Sequence, residues 1–393
     1  MTPESLGRDR SDSTSSCVRP KKVLIALNTA WNLVNFRSGL IRALVAQGYE
    51  VVGVAPPDEY APRLAGLGCR FVPLPMDNKG TNPGRDLLLL LRYLRLLLRE
   101  RPDVFLGYTV KPNVYGSMAA HALGIPVINN IAGLGTVFNR RNWLTAVVRW
   151  LYRAALSRSR WVFFQNEDDR AFFVEAAIVR RDVTARLPGS GVDLREFAPI
   201  PLQPSADGAF RFLLASRMLW DKGVGEYVEA ARKVRADYPG TEFRLLGFLD
   251  VKNPTAISHE QITEWVAEGV IVYLGATDNV KPQLAEVNCV VLPSLYREGV
   301  PRSLLEAAAM AKPIITTDAV GCRDVVDDGH NGFLVKVGDA RDLGEKMVRM
   351  MRLTPSERQL MGARGRQKME REFDERFVID KYVESVGEIC GSG

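Results

Sequence analysis

At 393 residues, with 46% hydrophobic and 25% charged side chains, the chain has the make-up of a soluble globular protein large enough for two α/β domains. Its net charge of +6 is compatible with anionic lipid or phosphorylated ligands, while no nucleic-acid recognition motif accompanies the charge, so no nucleic-acid partner is expected. Five dispersed cysteines without CxxC spacing argue against a disulfide framework or a zinc site and fit a reducing cytoplasm; with only three histidines, no metal is expected.

Residues 1–19 are polar and Ser-rich, lack the apolar stretch of a signal peptide, and read as a disordered tail. The apolar runs 87–98 and 143–156 are broken by arginines and fall short of the roughly 20 residues a membrane span needs. A first strand is expected at 21–27, followed by a loop at 28–37, a helix at 39–47 stopped by Gly48, and a second strand at 49–55. Strands at 71–74, 104–107, 127–131 and 161–165, with helices at 85–100 and 114–122, continue the alternation. Such alternation predicts a doubly wound parallel sheet with right-handed crossovers. The first strand–helix turn contains no glycine, which counts against a dinucleotide-binding GxGxxG site.

A Pro/Gly-rich stretch, 187–204, reads as a linker, and the pattern then restarts. Strands are expected at 210–215, 242–246, 271–274, 289–292 and 314–316, and helices at 225–237, 263–268, 280–287, 304–310 and 341–352. The division expected is a tail at 1–19, Rossmann-like domains at 20–197 and 198–372, and a terminal helix within 373–393 that packs back across the hinge. Two such domains predict a cleft between the carboxyl ends of their sheets.

Ser294 to Glu306 joins the expected strand at 289–292 to the helix at 304–310, and Pro301 suits that helix's first position. Glu298 falls in the turn and Glu306 in the helix, around a helix N-terminus whose free N–H groups favour an anion. Arg217 and Lys222 straddle a turn after the second domain's first strand, where a guanidinium fork and a compact ammonium can meet one phosphate group. Together these residues suit a nucleoside diphosphate sugar: cations for the diphosphate, carboxylates for hydroxyls. Glu167, Asp168 and Asp169 read as a solvated turn rather than a metal motif.

Arg217 and Lys222 with Glu298-x7-Glu306 resemble the signature of retaining GT-B glycosyltransferases of the family 4 type. Further pieces of the resemblance are 189–197 before the linker and 321–335 after the acidic pair, and it extends over nearly the whole chain from Lys21. It implies two Rossmann-like domains facing each other across a cleft, with the donor on the second and the acceptor on the first. By that resemblance Arg217 and Lys222 hold the diphosphate and Glu306 the ribose hydroxyls. Glu298 meets the donor sugar or stabilises charge at the reacting centre, and Gly299, Val300 and Pro301 present backbone to sugar and phosphates. The segments around Tyr108–Gly116 and Asn130–Phe138, with Trp31 and 35–37, resemble a bacterial subgroup that extends undecaprenyl-diphosphate-linked sugars, including N-acetylgalactosaminyltransferases. Lys111, Arg37 and Tyr115 are the acceptor-side candidates. Many family members carry a histidine near the position of Thr109; none is present there, so no catalytic role transfers to that site.

Two basic, apolar stretches bear on a lipid-linked acceptor. The stretch 139–161 carries arginines and tryptophans without an acid and reads as a peripheral contact with the inner face of the cytoplasmic membrane. The run 87–98 reads instead as a sheet-covering helix with snorkelling arginines. The expected function is a retaining, metal-independent transfer of an N-acetylhexosamine or hexose, with a UDP-sugar as co-substrate and no further cofactor, to a polyprenyl-diphosphate-linked glycan. Two alternatives remain open: a UDP-sugar epimerase of the same fold, and a non-catalytic, membrane-associated module that binds nucleotide sugars.

Overall fold

The computed structural model describes residues 19–77, 82–133, 143–200, 208–249 and 253–391. The expected tail 1–19 lies outside them apart from Arg19. In the first half, β1 (Lys22–Ala26), β2 (Glu50–Ala55), β3 (Cys69–Pro73), β4 (Val104–Tyr108), β5 (Val127–Ile131), β6 (Trp161–Phe164) and β7 (Thr184–Arg186) form one parallel sheet in the order β3-β2-β1-β4-β5-β6-β7. Its central strands are apolar on both faces, as a sheet covered by helices on two sides requires. The covering helices are α1 (Ala30–Ala46), α2 (Pro83–Glu100), α3 (Ser117–Ala122), α4 (Trp143–Leu156) and α5 (Glu167–Glu175).

The second half repeats the plan. Strands β8 (Phe210–Ala215), β9 (Thr241–Leu246), β10 (Val272–Tyr273), β11 (Cys289–Leu292), β12 (Ile314–Thr317) and β13 (Gly332–Val335) form a second parallel sheet, ordered β10-β9-β8-β11-β12-β13. Around it lie α6 (Val224–Asp237), α7 (His259–Ala267), α8 (Lys281–Ala285), α9 (Arg302–Ala309), α10 (Ala340–Arg352) and α11 (Pro355–Lys368). Strand order reverses between β1 and β4 in one sheet and between β8 and β11 in the other, and ligands of open α/β sheets bind at such reversals. The last helix, α12 (Glu375–Gly391), returns to the first sheet, where Val378, Tyr382 and Val386 are buried against α1 and β4.

Several elements depart from the sequence expectation for local reasons. Helix α1 begins at Ala30, not at 39, because the Thr29 hydroxyl accepts from the Asn32 amide as an N-cap and no proline interrupts the residues up to Ala46. Trp31, Asn35, Phe36 and Arg37 are therefore helical. Pro301 is the N-cap of α9 and not its first residue; its ψ of 119° is extended, and Arg302 opens the helix. Residues 167–169 form the first turn of α5, capped by Asn166, whose side chain accepts from the Asp169 amide at 2.8 Å. The short edge strands β7 and β13 and the helix α11 have no counterpart in the sequence reading.

Candidate active site

The turn that follows β8 closes at Gly223, whose φ of +74° is left-handed and where an added Cβ would fall 1.9 Å from the Pro293 carbonyl oxygen. The β8 and β11 connections are thereby pressed together, and Lys222 is brought against Glu298 in an ion pair. Ser294 Oγ donates to the same Glu298 oxygen at 2.8 Å. Burial would lower the pKa of Lys222, but the Glu298 carboxylate and the Tyr296 ring outweigh it, Arg217 opposes weakly, and the net shift is upward. Lys222 therefore stays charged although only 9% exposed.

Lys222 and Arg217 line a cavity of about 480 Å³ between the two sheets, within the usual size of small-molecule sites. The first half contributes Trp31, Asn35, Phe36 and Ser38 from α1, and the second contributes Pro301, Arg302 and Glu306 from α9. The N-terminus of α9 has no side-chain cap and carries the partial positive charge of a helix start. Glu306 is paired with Arg302 one helical turn earlier, Nε to Oε1 at 2.7 Å. Burial pushes the Glu306 carboxyl up, Arg302 draws it down, Glu196 adds to the rise, and the net direction is upward. Glu375, from the start of α12, lines the same cavity and is likewise raised, first by burial and then by Asp193.

Residues of the first half clamp the Glu298 loop. Asn166 Nδ2 donates to the Glu298 carbonyl at 3.2 Å, and Gln165 Oε1 accepts from the Val300 amide at 3.1 Å. Arg297 Nη2 reaches Asp169 Oδ1 at 2.8 Å, and Arg323 pairs with Asp168 at 2.9 Å. Burial raises Asp169, while Asn166 and Arg297 counter it. An added Cβ on Gly299 would lie 2.2 Å from Gln165 Oε1, so the close approach admits no side chain. A second clasp stands at the cavity mouth: Tyr60 Oη donates to Asp278, Arg63 pairs with Asp278 at 3.1 Å, and Trp31 meets Phe248 edge to face at 6.4 Å. The hydrogen bond to Asp278 and burial push the Tyr60 phenol up to about 12.

The donor-side candidates thus gather: Arg217, Lys222, Pro301 and Glu306 line one cavity, and Glu298 adjoins it through Lys222. Pro301 is part of the cavity wall, and Gly299 and Val300 back it from behind, packed on Gln165, so of the three only Pro301 is placed to meet a sugar directly. The acceptor-side candidates separate. Lys111 and Tyr115 both bond Asp86 of α2, at 2.7 and 2.9 Å, and Lys111 lines a different hollow of about 360 Å³ with Arg85 and Arg92. Arg37 does not reach either hollow. It is 5% exposed, its guanidinium lies 4.2 Å from the Tyr108 ring centroid, and its Nε is buried without a hydrogen-bond partner. The early start of α1 turns Arg37 inward, into a buried cation–π contact with Tyr108 on the first sheet.

The sequence reading also missed Arg302 and the clamp residues Gln165, Asn166 and Asp169. Arg302 had a local signal, since its spacing of four to Glu306 puts both on one helix face. Asn166 followed by three acids is the pattern of a capped helix start, which a solvated-turn reading overlooks. Glu375 had none, being joined to the cavity only by the return of α12. Among the described residues no group of three or more His, Cys, Asp or Glu is placed to hold a metal ion.

Two facing parallel-sheet domains with a cavity between their strand ends define the GT-B class. Solved structures agree on the fold: a glycosyltransferase from Rickettsia africae superposes with a TM-score of 0.76 at 17% identity, covering 96% of this chain and all of that one. The Anabaena protein HepE, crystallised with UDP and glucose, superposes with a TM-score of 0.76 at 17% identity, over 93% of this chain and 99% of its own. Residues 35–189 match the model described as glycosyl transferase 4-like domain, and residues 209–352 match glycosyl transferases group 1. With both halves matched in order, the chain belongs to the GT-B glycosyltransferases of the family 4 type. Among its relatives is the Campylobacter jejuni N,N'-diacetylbacillosaminyl-diphospho-undecaprenol alpha-1,3-N-acetylgalactosaminyltransferase, 27% identical, covering 90% of this chain and 94% of that protein. Another is the Escherichia coli UDP-Gal:alpha-D-GlcNAc-diphosphoundecaprenol alpha-1,3-galactosyltransferase, 26% identical, over 68% of this chain and 70% of that one.

Proposed function

We propose that this glycosyltransferase moves a hexose or N-acetylhexosamine from a UDP-sugar to a polyprenyl-diphosphate-linked glycan, with retention of anomeric configuration and without a metal. The observation that carries the reading is the convergence of Arg217, Lys222 and Glu306 on one cavity, with Glu298 bound to Lys222 at its wall. We assign the donor to the half at 198–372 and the acceptor to the half at 20–197. Relatives named for diphospho-undecaprenol acceptors support the acceptor class, and one of them is named for UDP-Gal. Both are named for alpha-1,3 products, which from an α-linked UDP-hexose means retention.

In this reading Arg217, Lys222 and the α9 N-terminus take the diphosphate, which gains negative charge as its bond to the anomeric carbon breaks. Preformed cations and N–H dipoles stabilise that charge, a contribution of several kcal/mol in comparable sites. Glu306 accepts from the ribose hydroxyls, with Arg302 holding it in place, and Pro301 forms the wall beside the sugar, backed by Gly299 and Val300. Glu298 orients Lys222 and meets the donor sugar. The acceptor hydroxyl attacks from the face the diphosphate leaves, and its proton passes to the departing phosphate oxygen. Lys111 and Tyr115 belong to the acceptor side, joined through Asp86, and the stretch 139–161 faces the inner surface of the cytoplasmic membrane. Of that stretch 139–142 lies outside the described residues, while Val147 and Trp150 on α4 are exposed.

Incubation of the protein with individual UDP-sugars, with and without a polyprenyl-diphosphate-linked acceptor, tests the reading. Acceptor-dependent release of UDP with an α-linked product is expected. Conversion of the UDP-sugar to its epimer without acceptor would establish the epimerase alternative in its place.

A further inference from the structure

Helix α2 covers the first sheet with only one of its sides. Leu89, Tyr93, Leu96 and Leu97 are buried on that side, and Glu100 joins them through ion pairs to Lys22 and Arg70. At 100° per residue, Leu87, Leu91 and Leu98 fall on a second stripe pointing away from the buried one, with Leu94 at its inner edge packed against the core. Leu87 and Leu98 are 58% and 57% exposed, Leu91 is exposed as well, and Leu94 is half-buried. A sheet-covering helix needs one apolar stripe, and the expectation that 87–98 merely covers the sheet leaves the second unexplained.

Beside the leucine stripe runs a row of cations, Arg85, Arg92, Arg95 and Arg99, with Leu88 exposed among them. The helix has two acids, and neither faces this row freely: Asp86 is bound by Lys111 and Tyr115, and Glu100 is buried. Arg85 is paired with Asp77 at 2.8 Å and Arg99 lies 3.8 Å from Glu100, so part of the row is compensated, yet cations still outnumber acids along it. An exposed leucine stripe beside such a row is complementary to a bilayer surface, acyl chains against the leucines and anionic headgroups against the guanidiniums. At about 27 Å for 18 residues, α2 is long enough to lie along such a surface. It is not apolar enough to cross one, as holds for every helix among the described residues.

We infer that the outer face of α2 is a membrane seat that takes anionic lipid, distinct from the stretch 139–161. Its place in the fold gives it a use. Through Asp86 it holds Lys111 and Tyr115, and the neighbouring Val110 is 56% exposed. Both α2 and α4 pack on the helical segment 112–122 between them, so a seated α2 brings the Lys111 segment to the headgroup layer. That use rests on the lipid-linked acceptor of the proposed function; the seat itself does not.

Co-sedimentation of the full chain with vesicles tests it without any sugar present. Binding is expected to vesicles of phosphatidylcholine mixed with phosphatidylglycerol, and more weakly to vesicles of phosphatidylcholine alone. The triple variant Leu87→Ser, Leu91→Ser, Leu98→Ser should lose at least a hundredfold in partition coefficient. Arg95→Gln with Arg99→Gln should lose about tenfold, and only on the anionic vesicles. Both variants should keep the wild-type melting transition, since the altered side chains are exposed. The inference is overturned if the triple variant binds as wild type while Trp150→Ser does not, or if wild type ignores both kinds of vesicle. It is equally overturned if wild type is a dimer that the leucine variant splits, which would make a second copy the occupant. Absence of transferase activity in a protein that still binds vesicles through α2 would count against the proposed function and not against the seat.

Discussion

The ends of the two sheets hold their polar residues differently. At the β8 and β11 ends, Arg217, Lys222 and Glu306 share one cavity, and the ion pairs Lys222–Glu298 and Arg302–Glu306 are both formed within the second half. At the β1 and β4 ends the polar groups are scattered: Arg37 is buried on Tyr108, while Lys111 and Tyr115 are tied to α2 through Asp86. The first half instead supplies cavity walls and a clamp, through Trp31, Gln165, Asn166 and Asp169. A small ligand of fixed charge suits the former construction, and a long acceptor reaching in from a surface suits the latter.

The largest effect should come from breaking the concentrated half. In Lys222→Ala the proposed diphosphate site loses a cation and Glu298 its buried partner, so kcat should fall by roughly a thousandfold, about 4 kcal/mol of lost transition-state stabilisation. Steady-state kinetics with saturating donor checks it; a tenfold effect or less would mean that Lys222 serves only to hold Glu298. Next is the clamp. Arg297→Ala leaves the carboxylate of Asp169, which is fully buried, without its partner across the cleft. Thermal or denaturant unfolding should report a loss of about 2–3 kcal/mol, reduced from that of a fully buried pair because Arg297 is one-third exposed.

A smaller, pH-dependent effect belongs to Glu306. Its carboxyl is raised by burial, so as pH falls it takes up a proton before an ordinary glutamate would. If its ionised form receives the ribose hydroxyls, kcat/KM for the donor should decline on the acid side at a higher pH than an ordinary glutamate would give. Glu306→Gln should show no such limb and bind the donor about tenfold more weakly. On the dispersed side, Tyr115→Phe should raise the acceptor KM about threefold and leave donor affinity unchanged. A change in donor affinity there would erase the distinction between the halves.

The same contrast explains what the sequence made legible. The parallel sheets follow from short apolar strands alternating with helices, and β11 falls at the expected 289–292. The donor-side group was readable because its parts lie on the short connection 216–223 and on 293–306, the connection after β11 with the start of α9, each anchored at a strand end. Contacts made only by bringing the halves together left no local trace. Asp169 reads as a solvated acid until Arg297 is placed on it across 128 residues of chain. Arg37 reads as an acceptor-side candidate in a loop, and only the Thr29 cap, which starts α1 early, shows that it lies on Tyr108. The outer leucines of α2 were indistinguishable from core leucines in a run where nearly every position is apolar.

The most direct measurement is transfer itself. Wild-type protein and the Lys222→Ala and Glu298→Ala variants would each be supplied with a UDP-sugar and a short-chain polyprenyl-diphosphate-linked acceptor, and the anomer of the product determined by NMR. The account predicts an α-linked product from wild type and a loss of at least a hundredfold in both variants. A β-linked product, or a Glu298→Ala variant as active as wild type, would contradict it.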